Sequence, residues 1–334
     1  MIATDGEIAT LNLESGRRRA WARFAQDARL SGVAEALVGT ERLAAQFLGD
    51  LDALDRLVAL ASQFARVDDS SRAALVQAEV ASTVHRFDDA RRHLAHAALM
   101  DVPCEEVERQ LLTIDQACGV ELDRVLASRR RIAVASRRLE DLVPFGAVLA
   151  DLERFTEAEI TYRQALHAYD GQSPFALAWV CFQLGALWGE LVPVPDAGLA
   201  AHWYRRAIAY LPAYVKARVH LAEIRLNQGQ TAEAEALLLP ALSSGDPEVR
   251  WRLADVLIAQ GRFAEAGTQL DAARLGFEQI LARHPLAFAD HAAEFFGGSG
   301  NDLSRARELA HANAANRPTR RAIAQAHAMA AKCR

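Results

Sequence analysis

The sequence predicts an all-α chain built as a linear array of helical hairpins. Three observations carry that prediction. Alanines recur in matching contexts at spacings near 34 residues: Ala90 in HRFDDARRHLAHA, Ala158 in ERFTEAEITYRQA, Ala234 in GQTAEAEALLLPA and Ala266 in GRFAEAGTQL. Ala158 follows Ala90 by 68 residues, two such periods, and Ala266 follows Ala234 by 32. The composition is 51% hydrophobic but only 7% aromatic, with 10 prolines and 19 glycines, a balance that suits helices because alanine and leucine lose least on entering one. Finally, 334 residues is long for one rounded core and fits a core that extends as a line.

Taken from the start, an initial helix is expected around Arg17 to Leu30, with Trp21, Phe24, Ala25 and Ala28 on one side, within a capping region 1–34. Eight hairpins follow, starting near Glu35, Ser71, Glu105, Leu139, Ala178, Val215, Pro247 and Ala287. An aromatic or threonine stands three residues before each turn alanine (Phe87, Phe155, Thr231, Phe263), and glycine often closes the preceding helix (Gly49, Gly229, Gly261) in the left-handed conformation. Gly146, Gly185, Ala222 and Ala254 stand where two helices must approach closely, and Pro212, Pro247, Pro285 and Pro318 mark unit ends. The pattern is divergent over 35–138, where Leu54 and Arg124 replace the turn alanine, and clearer over 139–318. In the seventh unit Ala266 precedes Pro285 by 19 residues, against 12 from Ala200 to Pro212; the excess of seven is two helical turns, so the second helix can lengthen without rotating its apolar face. The last hairpin has a glycine-rich turn, FFGGSGND, and 319–334 reads as a capping helix over the exposed end of the array.

This register resembles the tetratricopeptide (TPR) repeat, carried best by Gly146, Leu149, Phe155, Ala158, Tyr162 and Ala165 and by Gly185, Trp188, Ala200, Tyr204, Ala207 and Pro212. Near 178–212 the chain resembles the Sel-like variant: LGALW, then a proline-containing turn, then Asp196, Ala200, Trp203 and Tyr204. Leu191 and Pro193 replace the variant's turn glycines, so this turn is expected to bend the solenoid or form one lip of a groove. The resemblance implies a right-handed superhelical solenoid whose first helices line a concave groove that binds peptides or proteins. Carried over position by position, it places Trp179, Phe182, Lys216, Val219, Glu223, Trp251, Arg252, Asp255, Phe288, His291 and Phe295 in that groove, with Gln183, Ala186, His220, Glu248 and Ala292 beside them. The alternative is that the aromatic members pack between units. The family's clamp for a terminal carboxylate is absent, with Lys216 its only matching base, which argues against chaperone C-termini as ligands.

Other chemistries find little support. A net charge of -5 disfavours nucleic acid and anionic membranes as partners. Arginine clusters at Arg17 to Arg19, Arg129 to Arg131 and Arg137, Arg138 are interleaved with aliphatic residues and acids, as expected of solvated, salt-bridged helix faces. Cys104, Cys118, Cys181 and Cys333 are scattered, which suits reduced thiols in a cytoplasmic protein. The N-terminal segment shows no export signal, and the uncharged run Gly171 to Gly189 reads as a buried helix rather than a membrane span. His93 and His96 could share a metal by spacing, but no carboxylate completes a site. No nucleophile elbow, phosphate loop, dinucleotide fingerprint or metalloprotease motif occurs, and neither enzyme activity nor a cofactor is expected.

The functional expectation is a non-catalytic scaffold or adaptor that grips a protein segment, with aromatic anchors such as Phe182 and Trp251 supplying affinity. The rivals are a docking module serving a separate enzyme and an RNA-binding helical repeat. A homo-oligomer stays open.

Overall fold

The computed structural model describes residues 3–100 and 102–332; Cys333 lies outside them. Within that range every regular element is helical. A lone helix α1 (Gly6–Gln26) is followed by eight hairpins: α2 (Val33–Leu48) with α3 (Asp52–Val67), α4 (Ser71–Thr83) with α5 (Phe87–Ala97), α6 (Cys104–Cys118) with α7 (Leu122–Ser136), and α8 (Leu139–Asp151) with α9 (Phe155–Ala168). Then come α10 (Pro174–Ala186) with α11 (Ala197–Tyr210), α12 (Val215–Asn227) with α13 (Thr231–Leu238), α14 (Pro247–Ala259) with α15 (Phe263–Arg283), α16 (Ala289–Phe296) with α17 (Leu303–Asn316), and finally α18 (Arg320–Ala331). The chain is an all-α solenoid of TPR-like hairpins. The N-terminal helix starts 11 residues before the expected Arg17, because Asp5 caps it by accepting from the Glu7 and Ile8 amides.

The repeat positions work by size. Ala90, Ala158, Ala200, Ala234 and Ala306 are fully buried where a second helix crosses its partner. At Gly146 and Gly185 even a methyl group is too large, since a Cβ would lie 2.7 Å from the Tyr162 ring and 2.5 Å from the Tyr204 ring. Gly229 and Gly261 close their helices with φ of 75° and 76°. In the seventh hairpin α15 spans 21 residues against 14 for α11, the expected lengthening. The apolar run Pro174–Leu191 is the one stretch among the described residues long and apolar enough to cross a membrane, but it packs against α8, α9, α11 and α1.

What positions the functional face is the tightness of the coil. Gly49, in the turn of the first hairpin, meets Ser244 beyond the sixth; His85, in the second turn, contacts the Leu286 carbonyl beyond the seventh at 3.1 Å; Gly119, in the third turn, meets Thr319 beyond the eighth. Each early turn therefore rests on the connector that follows the hairpin five further on. The Thr4 amide donates to Gln172 O at 2.8 Å, and Asp55 pairs with Arg283 and, at 2.8 Å, with His284. At the end of α2, Phe47 inserts between Phe175, Trp179 and Tyr214, with ring centroids 5.2, 6.4 and 4.7 Å away. Successive superhelical turns touch, and early segments of the chain cover part of the face that later units present.

Candidate functional site

The first helices of the sixth to eighth hairpins present polar side chains toward one another. Lys216, His220 and Glu223 on α12 and Glu248, Arg252 and Asp255 on α14 each follow i, i+4, i+7 spacing, which aligns them along one helix face. On α16 the corresponding groups are Asp290, His291 and Glu294. The Arg252 guanidinium lies over the Trp251 ring at 3.8 Å and within 3.3 Å of Glu223, 3.9 Å of Glu248 and 3.8 Å of Asp255. Ser299 Oγ donates to Asp255 at 2.6 Å and accepts from Trp251 Nε1 at 3.1 Å. His291 Nδ1 lies 3.4 Å from Glu248, and Arg317 lies 3.4 Å from Asp290.

A second node forms where α10 leaves α-geometry. Residues Leu187–Leu191 make a π turn, in which the Val192 amide donates to Leu187 O at 3.1 Å. The widened turn swings Glu190 onto the same inner face. There one oxygen lies 2.9 Å from His220 Nδ1 and accepts from the Tyr204 hydroxyl at 3.3 Å, while the other accepts from Arg321 at 3.0 Å. The stretch expected to bend the solenoid thus delivers a carboxylate.

The electrostatics follow from shared burial. Burial raises the Glu190 carboxyl, but the hydrogen bonds and charges of His220 and Arg321 prevail and bring its pKa down to about 2. Burial lowers His291, yet the negative charges of Asp290 and Glu248 carry it up to about 9. Against its own burial, Glu248 is held well below the carboxylate range by His291. Glu223 and Asp255 are raised because burial outweighs the pull of Arg252. Lys216 has no ion-pair partner within 4.0 Å among the described residues, although its charge acts on Asp246, Glu248 and His291.

The expected groove residues divide by burial. Phe182, Val219, Trp251 and Phe295 are 9%, 1%, 4% and 0% exposed, so their reading as exposed anchors is corrected to core packing. Trp251 and Phe295 belong to one aromatic cluster with Phe277, and Phe182 packs on Tyr204 and Tyr214. Trp179, Lys216, Glu223, Arg252, Asp255, Phe288 and His291 are half-buried. Of these, Trp179 is capped by Phe47, and Phe288 joins the N-terminal core around Leu37 to the C-terminal core around Phe277. Sequence reasoning missed Phe47, Glu190, Asp290, Arg317 and Arg321. Only Glu190 carried a signal, as the acid that ends the long uncharged run before the proline turn.

Helix α18 completes the site. Arg321 reaches Glu190, Gln325 Nε2 donates to the Asp290 carbonyl at 2.9 Å and to Glu294 at 3.3 Å, and Met329 packs at Gly297. Elsewhere Arg17 and Arg56 share Glu41 and Asp50, Arg131 pairs with Glu108, and Arg129 is buried beside Thr113. Cys104, Cys118 and Cys181 are unpaired thiols, and no cluster of three metal-ligating side chains forms among the described residues.

Compared with known proteins, no family model matches the chain, and no curated protein matches it. Among solved structures, it is similar to the crystal structure of MamA at 16% identity, covering 50% of this chain and 95% of that one with a TM-score of 0.42. It is similar to the C-terminal part of a TPR repeat-containing protein from Cytophaga hutchinsonii at 14% identity, covering 87% and 97%, TM-score 0.35. A human IFIT1 dimer with m7Gppp-AAAA is similar at 16% identity over 94% of this chain and 73% of that one, TM-score 0.42. These are likenesses of helical-repeat arrangement and say nothing of what this chain binds.

Proposed function

We propose that the chain is a non-catalytic, cytoplasmic interaction scaffold that holds a helical segment of a partner protein on the inner face formed by α10, α12, α14 and α16. One observation carries this reading. At its α10 and α16 ends that face already meets a helix, α18, which packs on α17 and reaches Glu190 through Arg321 and the Asp290 carbonyl and Glu294 through Gln325. Half-buried side chains of both signs, Lys216, Glu223, Arg252 and Asp255, supply register for such a segment, and the aromatic core beneath them supplies rigidity rather than contact. A docking module for a separate enzyme would use the same face.

The RNA reading has less behind it. Glu190, Glu223, Glu248, Asp255, Asp290 and Glu294 share this face with Lys216, Arg252, Arg317 and Arg321, whereas a phosphate-tracking groove needs a basic excess. The test compares wild type with Glu223→Lys/Asp255→Lys in affinity capture from a cytosolic extract and in binding of single-stranded RNA, with circular dichroism as the control for folding. Protein partners retained by wild type and lost by the variant support the reading. RNA binding that strengthens in the variant and dominates in wild type overturns it.

A further inference from the structure

We infer that α18 is an internal ligand, and that its seat takes a basic, alanine-rich helix of a partner once α18 is displaced. This rests on the scaffold reading and names both the class of segment bound and the element that competes with it.

The sequence of α18, RRAIAQAHAMAA, buries only Ala322, Ala326 and Met329 among its described residues, far less than α14 buries with Val249, Trp251, Leu253, Ala254, Val256 and Leu257. Alanine burial contributes little per residue, because the apolar area removed from water is small. What holds α18 at its start is ionic: Arg320 pairs with Glu153 at 2.8 Å, and Arg321 with Glu190 at 3.0 Å. Arg320 and Glu153 are both well exposed, at 75% and 63%, where an ion pair is weak and easily exchanged; Arg321 is 66% exposed, so water can replace it on the more buried Glu190, which His220 and Tyr204 also hold. The link to α17 is a single tight turn at Pro318, in which the Thr319 amide donates to Arg317 O at 2.7 Å. Helix α18 is therefore joined by a short pivot and packs through one narrow apolar face, against α17 and the C-terminal core.

The seat is built more firmly than its occupant. Glu190 is fixed by the π turn and held by His220 and Tyr204 independently of α18. Glu153 sits at a left-handed turn position, φ 61°, in the tight connection between α8 and α9. The Asp290 carbonyl and Glu294 lie on α16, whose Phe295 and Phe296 are core residues. These acceptors and the apolar strip beside them define the chemistry of the incoming helix: two adjacent cations in its first turn, a hydrogen-bond donor one turn on, alanines on its buried face, and a flexible apolar side chain, as Met329 is here, at the end that meets Gly297.

The experiment uses the full chain and a fluorescent peptide of residues 319–332. In Arg320→Glu/Arg321→Glu, hydrogen exchange should show α18 losing protection while α10 to α17 keep theirs. The peptide should then bind this variant about tenfold more tightly than wild type, the gain expected from removing two ion pairs from the competitor. Adding Glu190→Lys should abolish peptide binding. Equal binding to wild type and the double variant overturns the inference, as does a variant whose α18 is unprotected yet binds no peptide. Loss of peptide binding with partner capture intact removes this inference alone; tight peptide binding with no capture removes the scaffold reading.

Discussion

At the scale of single residues, the structure reassigns the aromatic side chains that looked most like an interface. Trp251 lies between Phe277 and Phe295, donates its indole N–H to Ser299 and carries Arg252 on its face. A ring with a filled environment on every side contributes packing, and its removal leaves a cavity. Trp251→Ala is therefore expected to cost about 3–5 kcal/mol of stability, read as a lowered denaturant midpoint, and not to act as a selective binding defect. Normal stability with weakened partner binding would restore the interface reading. Trp179 differs, because what covers it is Phe47, a residue remote in sequence. Position within a repeat identifies which helix face a side chain occupies. Whether that face is open depends on how tightly the array coils, and no single repeat encodes the coil.

At the scale of elements, hairpin order was legible from the small residues because the geometry leaves no choice there: Gly146 and Gly185 abut tyrosine rings, and Ala90 and Ala158 are fully buried. Helix starts depended on caps, and Asp5 began α1 earlier than the apolar pattern suggested. The π turn at Leu187–Leu191 was not legible, since a one-residue change in hydrogen-bond step leaves no composition signal beyond the neighbouring prolines. Its consequence is measurable through Glu190. The carboxyl falls from an ordinary 4.5 to about 2, so its stabilisation is fully present above pH 4.5 and is lost as pH falls through about 2. Glu190→Gln should be less stable than wild type at neutral pH, and the two stability curves should converge in acid. Parallel curves down to that range would show that His220, Tyr204 and Arg321 do not depend on the charge.

At the scale of the whole molecule, a repeat array whose units touch only their neighbours unfolds as a sum of local terms, and its ends fray independently. Here the contacts from Gly49 to Ser244, His85 to Leu286 and Gly119 to Thr319 join units five hairpins apart, so the array gains long-range coupling of the kind found in globular cores. Phe47 is the densest of these links, buried to 2% exposure among Phe175, Trp179 and Tyr214. Phe47→Ala should then do more than remove the roughly 3–5 kcal/mol typical of a buried phenylalanine. It should uncouple the N-terminal hairpins from the fifth and sixth, lowering the denaturant dependence of unfolding and splitting one transition into two. Hydrogen exchange would locate the break: protection lost in α1 to α3 and on the exposed faces of α10 and α12, and kept in α14 to α17. A comparable substitution between two adjacent hairpins, Phe277→Ala, serves as the control, because it removes a ring packed on Trp251 and Phe295 without cutting a link between superhelical turns. If both variants unfold in one transition with unchanged steepness, the turns touch without cooperating, and the inner face is closed by proximity alone.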